Sequence, residues 1–158
     1  MKLLMIILSL FISFNLAAQK EGDTVYARCP IAITDTNGYN NYFTPHQSAT
    51  IKVEKVKGDL VITIQQREQF FTMFFRQKKL SNRKYKIGVG ANNNDELSAK
   101  YSFRSGGRAS YVDVTSGTVD VTYNKETDMW NFKINGMLSN LVERSVAYYK
   151  VKADFFVK

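Results

Sequence analysis

The stretch that most constrains the fold is Gly117–Gly136, GTVDVTYNKETDMWNFKING, because apolar and polar residues alternate along two arms. The apolar residues of the two arms are Val119, Val121, Tyr123, Trp130, Phe132 and Ile134. Successive residues of a β-strand point to opposite faces, so each arm has one buried and one solvated face. Asn124–Asp128 between the arms has the length of a hairpin loop. The pattern predicts an antiparallel hairpin that needs a second layer, since an isolated hairpin is only marginally stable in water.

The same alternation recurs along most of the chain. The clear examples are Ala49–Gln66, Leu97–Phe103 and Ser145–Lys158, and the shorter ones are Thr24–Arg28, Ile31–Thr34, Tyr85–Val89 and Ala109–Val114. Short strands at hairpin spacing, without a convincing helical pattern, are typical of all-β domains. They predict a single antiparallel β-sandwich or small β-barrel of roughly nine or ten short strands.

One segment leaves the choice between strand and helix open. Phe70–Phe75 (FFTMFF) is apolar on both faces of a strand, which is typical of a central strand with material packed on each side. The four phenylalanines also share one side of a helix. The strand signals on either side of the segment favour a strand.

The N-terminal residues have the composition of a secretory signal peptide. Lys2 supplies a positive charge, the 12 residues Leu3–Phe14 are almost all apolar, and small residues end at Ala18. The apolar run is shorter than the roughly 20 residues that span a bilayer. The alternatives are an uncleaved anchor and a buried strand. Lipidation would need a cysteine at the cleavage point, and the only cysteine is Cys29. We expect residues 1–18 to be a signal peptide and residues 19–158 to be an exported domain, periplasmic or extracellular, without a transmembrane segment.

The mature chain is basic. Without Lys2 it has 21 basic and 14 acidic residues, a balance that favours contact with anionic partners or serves solubility alone. Six of the basic residues fall within the eleven residues Arg76–Lys86. They are Arg76, Lys78, Lys79, Arg83, Lys84 and Lys86. This segment is either a solvated turn between strands or a patch that binds an anionic partner.

Residues for catalysis or metal binding are scarce. The chain has one histidine, His46, and one cysteine, Cys29, so neither a nucleophile–histidine pair nor a zinc site is indicated. The oxygen-rich segments Asp35–Asn41 and Asn92–Glu96 lack the closing carboxylate of a calcium loop, and turn chemistry explains them equally well. We predict no catalytic residue, no metal and no cofactor, and we do not expect an enzyme.

The aromatic residues raise a ligand-binding alternative. A barrel of about eight or more strands can enclose a small ligand, and Tyr39 and Tyr42 are the candidate contacts. Trp130 shares a face with Phe132 and Ile134 and is predicted to be a core residue. Most other aromatic residues also lie on apolar faces, which, together with export, argues against a nucleic acid as partner.

The C-terminal half of the chain resembles a known kind of domain. Tyr85-Lys86-Ile87-Gly88 is followed by a Ser/Gly-rich turn, Ser116–Thr122 (SGTVDVT), the second hairpin arm and a last strand that ends at Phe155. This order is similar to that of small exported β-rich domains of unknown function from the envelopes of Gram-negative bacteria. Lys84 stands where such chains often have a small residue, and the lipid-anchoring cysteine of many of them is missing. The resemblance implies a β fold and brings no catalytic residues.

These features predict a non-catalytic exported envelope protein that binds another protein or an anionic surface. The basic segment Arg76–Lys86 is the candidate site for such a partner. The alternative is a module that binds a small ligand or a glycan, with Tyr39 and Tyr42 as its contacts.

Overall fold

The computed structural model describes residues 22–35, 37–39, 42–77, 79–91, 93–142 and 145–158, with only the backbone described at 140–142 and 145. The predicted signal peptide and Lys78 lie outside these ranges. Within them the chain forms ten β-strands and no helix, which confirms the all-β prediction. The strands are β1 (Gly22–Tyr26), β2 (Ile31–Thr34), β3 (Ala49–Val56), β4 (Asp59–Gln66), β5 (Gln69–Phe75), β6 (Arg83–Ile87), β7 (Glu96–Ser105), β8 (Arg108–Asn124), β9 (Met129–Val142) and β10 (Ser145–Val157).

All ten strands belong to one open, mixed sheet with the order β1-β3-β4-β5-β7-β6-β8-β9-β10-β2. The long strand β8 pairs with β7 through its first half and with β6 through its second half. A bulge between Val114 and Ser116 separates the two halves. Bulges bend a strand and increase its twist, and here the bend lets β6 enter the sheet between β7 and β8.

One pairing is parallel, whereas the sequence predicted an antiparallel sheet. β6 and β7 run side by side in the same direction, with Lys86 and Ile87 opposite Glu96 and Leu97. The loop between the strands returns the chain to the end at which it left β6, and Gly88 N donates to Leu97 O at 3.1 Å. The other pairings are antiparallel.

The inward side chains of the strands meet in a single hydrophobic core. Its largest fully buried members are Tyr85, Phe43, Phe71, Phe75, Phe132 and Phe155. The ring of Phe132 stacks on Phe155 at 5.1 Å and meets Phe75 edge-on at 6.1 Å. Because one sheet supplies all sides of this core, the sheet must curl upon itself, as in a barrel or sandwich.

The hairpin at Gly117–Gly136 forms as predicted. Its facing pairs are Val119 with Ile134, Val121 with Phe132 and Tyr123 with Trp130. Trp130 is 5% exposed, so the prediction of a core residue is confirmed. Its ring lies 5.0 Å from that of Tyr123, a cross-strand aromatic pair of the kind that stabilises a sheet by about 0.2–1 kcal/mol.

The ambiguous phenylalanine segment is a strand. In β5, Phe71, Met73 and Phe75 are fully buried, whereas Phe70 and Phe74 are half-buried on the outer face. The sequence predicted packing on both faces of this strand, and the structure shows full burial only on the inner face. On the outer face, side chains of neighbouring strands partly cover the rings. The Arg104 guanidinium, for example, lies 5.7 Å from the centre of the Phe70 ring.

A single tyrosine links the two ends of the sheet. β2 pairs with β10 only along Lys150–Ala153 and leaves the rest of the β10 edge open. There the hydroxyl of Tyr26, at the end of β1, donates to Phe156 O at 2.6 Å and accepts from Phe156 N at 2.8 Å. Asp154 N donates to Pro30 O at 3.2 Å. Tyr26 of β1 and Pro30 of the β1–β2 connection thus supply hydrogen bonds that a neighbouring strand would otherwise provide.

The loop of residues 42–48 packs against the core through Phe43, which is 1% exposed. Its anchor is Gln66, a polar residue that is only 3% exposed. The Gln66 amide accepts from Thr44 N at 2.7 Å and donates to Thr44 O at 2.9 Å. One buried side chain therefore ties the backbone of the loop to strand β4 and satisfies its own amide in doing so.

Candidate anion-binding face

The six predicted basic residues do not form a single patch. Arg76 and Lys79 lie in the β5–β6 loop, and Arg83, Lys84 and Lys86 lie on strand β6. Lys78 is outside the described residues. Because alternate residues of a strand face opposite sides, Arg83 shares the side of buried Tyr85, while Lys84 and Lys86 point outward. Arg83 forms an ion pair with Asp95, and its guanidinium lies 5.8 Å from the centre of the Tyr85 ring.

The outward side of β6 continues across the sheet into a surface that we call the lysine face. It consists of the outward residues Lys84, Lys86, Lys133, Lys150 and Lys152 on β6, β9 and β10. All five are exposed. Asp120 and Asp154 share the surface, and Glu96 of β7 borders it beside Lys86, so five ammonium groups stand against three negative charges.

Strand register arranges most of this face in two rows that run across the strands. The first row is Lys84, Asp120, Lys133 and Asp154, and the second row is Lys86, Thr118, Asn135 and Lys152. The first row alternates in sign. The second row has a hydroxyl and an amide between two lysines. Lys86 and Lys152 are three strand spacings apart, which is about 14 Å at the usual distance between neighbouring strands. The second row has no carboxylate between its two lysines, and Glu96 of β7 lies beside Lys86 at its outer end.

Ion pairing leaves most of the lysine face available. Lys84 Nζ lies 3.3 Å from Asp120 Oδ1, an exposed contact of the kind that contributes about 0.2–1 kcal/mol. The other four lysines have no carboxylate of the described residues within 4.0 Å. Their ammonium groups are therefore free to bind an anion from outside the chain.

A groove of about 540 Å³ crosses the lysine face toward the β2 edge. Its charged lining comprises Lys84, Lys133, Lys152, Asp120 and Asp154, and Thr118 and Asn135 add neutral polar groups. Its apolar lining includes Pro30, Ala32, Pro45 and Ala153. The volume falls within the range of about 300–1,000 Å³ that is typical of ligand clefts, and the lining combines cations, hydrogen-bond acceptors and small apolar surfaces.

Sequence reasoning found part of this face and missed the rest. Lys84 and Lys86 lie in the predicted basic segment, but Lys133, Lys150 and Lys152 come from strands far away in the chain. The available signal was their position on the polar side of predicted strands. It could not show that these sides join, because the pairing of β8 with both β6 and β9 is set by the whole sheet.

The first predicted ligand contact, Tyr39, is 68% exposed in a turn that Asp35 organises. The Asp35 carboxylate accepts from the backbone N–H groups of Asn37 and Tyr39, each at 2.9 Å. This is the local turn chemistry that aspartate favours. The Asp35 side chain therefore serves the turn.

The second predicted contact, Tyr42, belongs to an aromatic cluster. Its ring meets Tyr101 edge-on at 4.9 Å and Tyr149 at 5.1 Å. Burial, followed by the neighbouring phenols, raises the pKa of Tyr42. Burial also raises the pKa of Tyr101 to about 12. These hydroxyls therefore stay protonated at neutral pH, and the Tyr42 ring takes part in packing.

The two residues with nucleophilic or metal-binding potential differ in environment. Cys29 is buried in the core, and this burial raises the pKa of its thiol, which keeps it protonated at neutral pH. His46 is exposed in the loop of residues 42–48. Across the described part of the chain, no group of three or more His, Cys, Asp or Glu side chains is placed to hold a metal ion.

Comparison of the chain with protein-family models, with curated proteins and with solved structures found no match. Among the described residues, no helix has both the length and the apolar character needed to cross a membrane.

Proposed function

We propose that this protein is an exported, non-catalytic binding module that engages an anionic partner through the lysine face. One observation carries the proposal: five lysines outnumber the three acidic residues that share or border their outward positions, and four of the lysines have no carboxylate of the described residues within 4.0 Å. A surface with one prevailing sign of charge attracts oppositely charged partners and accelerates their association. The predicted signal peptide supports export.

The placement of the lysines on strands supports binding rather than solubility alone. Lys133, Lys150 and Lys152 sit on β9 and β10, which pair without interruption from Ser145 to Val157. The backbone at each lysine is therefore held by cross-strand hydrogen bonds on a packed sheet. Charges on rigid elements keep a fixed spacing, which is what a specific binding surface requires.

A small ligand enclosed by the sheet is the weaker alternative. The centre of the core is filled by the rings of Phe75, Tyr85, Phe132 and Phe155. A filled interior has no space for a ligand unless the core repacks. The outer groove therefore has the stronger support as the place for any small or extended ligand.

The binding proposal is tested by reversing charge at the two ends of the second row. The variant Lys86→Glu with Lys152→Glu and the wild type are compared for binding to immobilised dextran sulfate at increasing NaCl concentrations. The control is Arg108→Glu with Lys125→Glu, which makes the same change in net charge at exposed positions outside the face. We expect the first variant to lose about tenfold in affinity, ~1.4 kcal/mol, and the control to stay within about twofold. Equal losses in both variants would refute the proposed face.

Export is tested separately by fractionating cells that produce the full chain with a C-terminal tag. We expect the tagged protein in the periplasm or medium, with Gln19 as its N-terminal residue. A protein that keeps Met1 and stays in the cytoplasm would refute export while leaving the binding test unaffected.

A further inference from the structure

We infer that the anionic partner is an acidic polysaccharide, a chain of uronic-acid sugars, that lies in the groove across strands β6, β8, β9 and β10. The inference rests on the proposed function and names the chemistry of its ligand. A uronic-acid sugar carries a carboxylate, which needs cations, and several hydroxyl groups, which need hydrogen-bond acceptors. The groove offers both kinds of partner.

The two aspartates favour a sugar chain over a simple polyanion. Asp120 and Asp154 line the groove between and beside lysines. Carboxylates in this position repel a ligand made only of negative groups, since like charges at close range oppose binding. They accept hydrogen bonds from hydroxyl groups, and a charged acceptor makes the stronger kind of hydrogen bond. The Asp154 carboxylate is available for this role, because none of the described cations lies within 4.0 Å of it.

The second row matches the same chemistry. The Thr118 hydroxyl and the Asn135 amide each donate and accept hydrogen bonds, and they lie between Lys86 and Lys152. Lys152 lines the groove and Lys86 lies beyond it at the other end of the row, so a chain that extends from the groove along this row meets a cation at each end and neutral polar groups between them. The separation of about 14 Å between the lysines requires an extended ligand with repeated charges.

The shape of the site argues against a lipid surface. A planar bilayer would rest on the rims of the groove, whereas a single polymer chain can enter it. The small apolar residues Pro30, Ala32, Pro45 and Ala153 in the lining leave room for the C–H faces of sugar rings. Lipid binding and binding of an acidic protein are therefore outcomes that the test must distinguish.

The experiment measures binding of the mature protein to four probes. Polygalacturonate carries charges and hydroxyls, its methyl ester keeps hydroxyls without the charge, and phosphatidylglycerol vesicles and polyglutamate supply negative charge without sugar. The variants are Asp154→Ala, its control Asp59→Ala at an exposed position on β4, and Lys86→Glu with Lys152→Glu. Circular dichroism confirms that each variant is folded.

We expect polygalacturonate to bind at least about tenfold more tightly than the other three probes. Asp154→Ala should weaken its binding about fivefold, as expected for a lost charged hydrogen bond, and should not weaken binding of vesicles or polyglutamate. Asp59→Ala should have no effect. If vesicles or polyglutamate bind as tightly, or if Asp154→Ala strengthens binding of all polyanions, the sugar ligand is refuted while the proposed function stands. If no probe shows binding that depends on Lys86 and Lys152, both are refuted.

Discussion

Gly117 of β8 lies so close to Gly136 of β9 that there is no room for a side chain at Gly117. A β-carbon on Gly117 would lie 2.4 Å from Gly136 Cα and 2.5 Å from Asn135 O. Gly117 also has a φ of 141°, a conformation that costs other residues energy. This contact lies beside the bulge at which β8 leaves β7 for β6, so the two glycines allow the bend that brings β6 into the sheet.

Gly117→Ala is expected to lower the free energy of unfolding by about 2–4 kcal/mol, because it adds a steric overlap to an unfavourable backbone conformation. Urea unfolding measures the loss. Gly88→Ala is the control, since a β-carbon at Gly88 meets nothing within 4 Å, and it should change stability by no more than about 0.5 kcal/mol. Similar losses in the two variants would contradict the close contact.

Gln66→Met is expected to destabilise the protein by about 1–2 kcal/mol, because it removes the hydrogen bond to Thr44 N and one of the two donors to Thr44 O, which also accepts from Gln47 N. Hydrogen exchange at the Thr44 amide should accelerate together with this loss. Gln65→Met on the outward side of the same strand is the matched control and should stay within about 0.5 kcal/mol. Unchanged protection at Thr44 would show that the loop does not depend on Gln66.

Tyr26→Phe is expected to cost about 1 kcal/mol, because it removes a hydroxyl that both donates to and accepts from the backbone of Phe156. The Phe156 amide should lose protection from hydrogen exchange, which NMR measures residue by residue. Tyr39→Phe removes a hydroxyl at an exposed position and should leave that protection unchanged. A Phe156 amide that stays protected in Tyr26→Phe would mean that the sheet ends are held together by other contacts.

Stability is expected to fall at alkaline pH, in part because of Tyr101. Burial raises its pKa to about 12 from 10.0, so the unfolded chain releases this proton first. The stabilisation that follows from this raised pKa is fully present below pH 10 and is lost as pH rises toward about 12. Urea unfolding across that range should show a smaller pH dependence in Tyr101→Phe than in the wild type. An identical dependence would contradict a protonated, buried Tyr101.

The sides of the strands were predictable because side-chain direction is a local property. Val121 and Phe132 face the core as their alternation indicates, and the phenylalanine segment is a strand. The parallel pairing of β6 with β7 was not predictable, since it depends on where the chain re-enters the sheet after its loop. The continuity of β8 through the bulge also escaped prediction, because Ala109–Val114 and the arm that begins at Gly117 were predicted as separate strands.

The candidate site divides in the same way. Lys84 and Lys86 were identified from the basic segment Arg76–Lys86. Other residues of that segment do not share the lysine face, since Arg83 lies on the opposite side of β6. Lys133 and Lys152 join the face through pairings that the sequence pattern does not specify. Clustering in sequence therefore proved a poor guide to clustering on the surface of a strand.

Alternation along the chain by itself determined that this protein is all-β and that residues such as Trp130 are buried, because a period of two separates the faces of any strand. Only the tertiary structure decided the order of the strands, the link from Tyr26 to Phe156 and the assembly of the lysine face. These depend on register between segments that are distant in the chain, and register is set by the packing of the whole core together with turns and bulges.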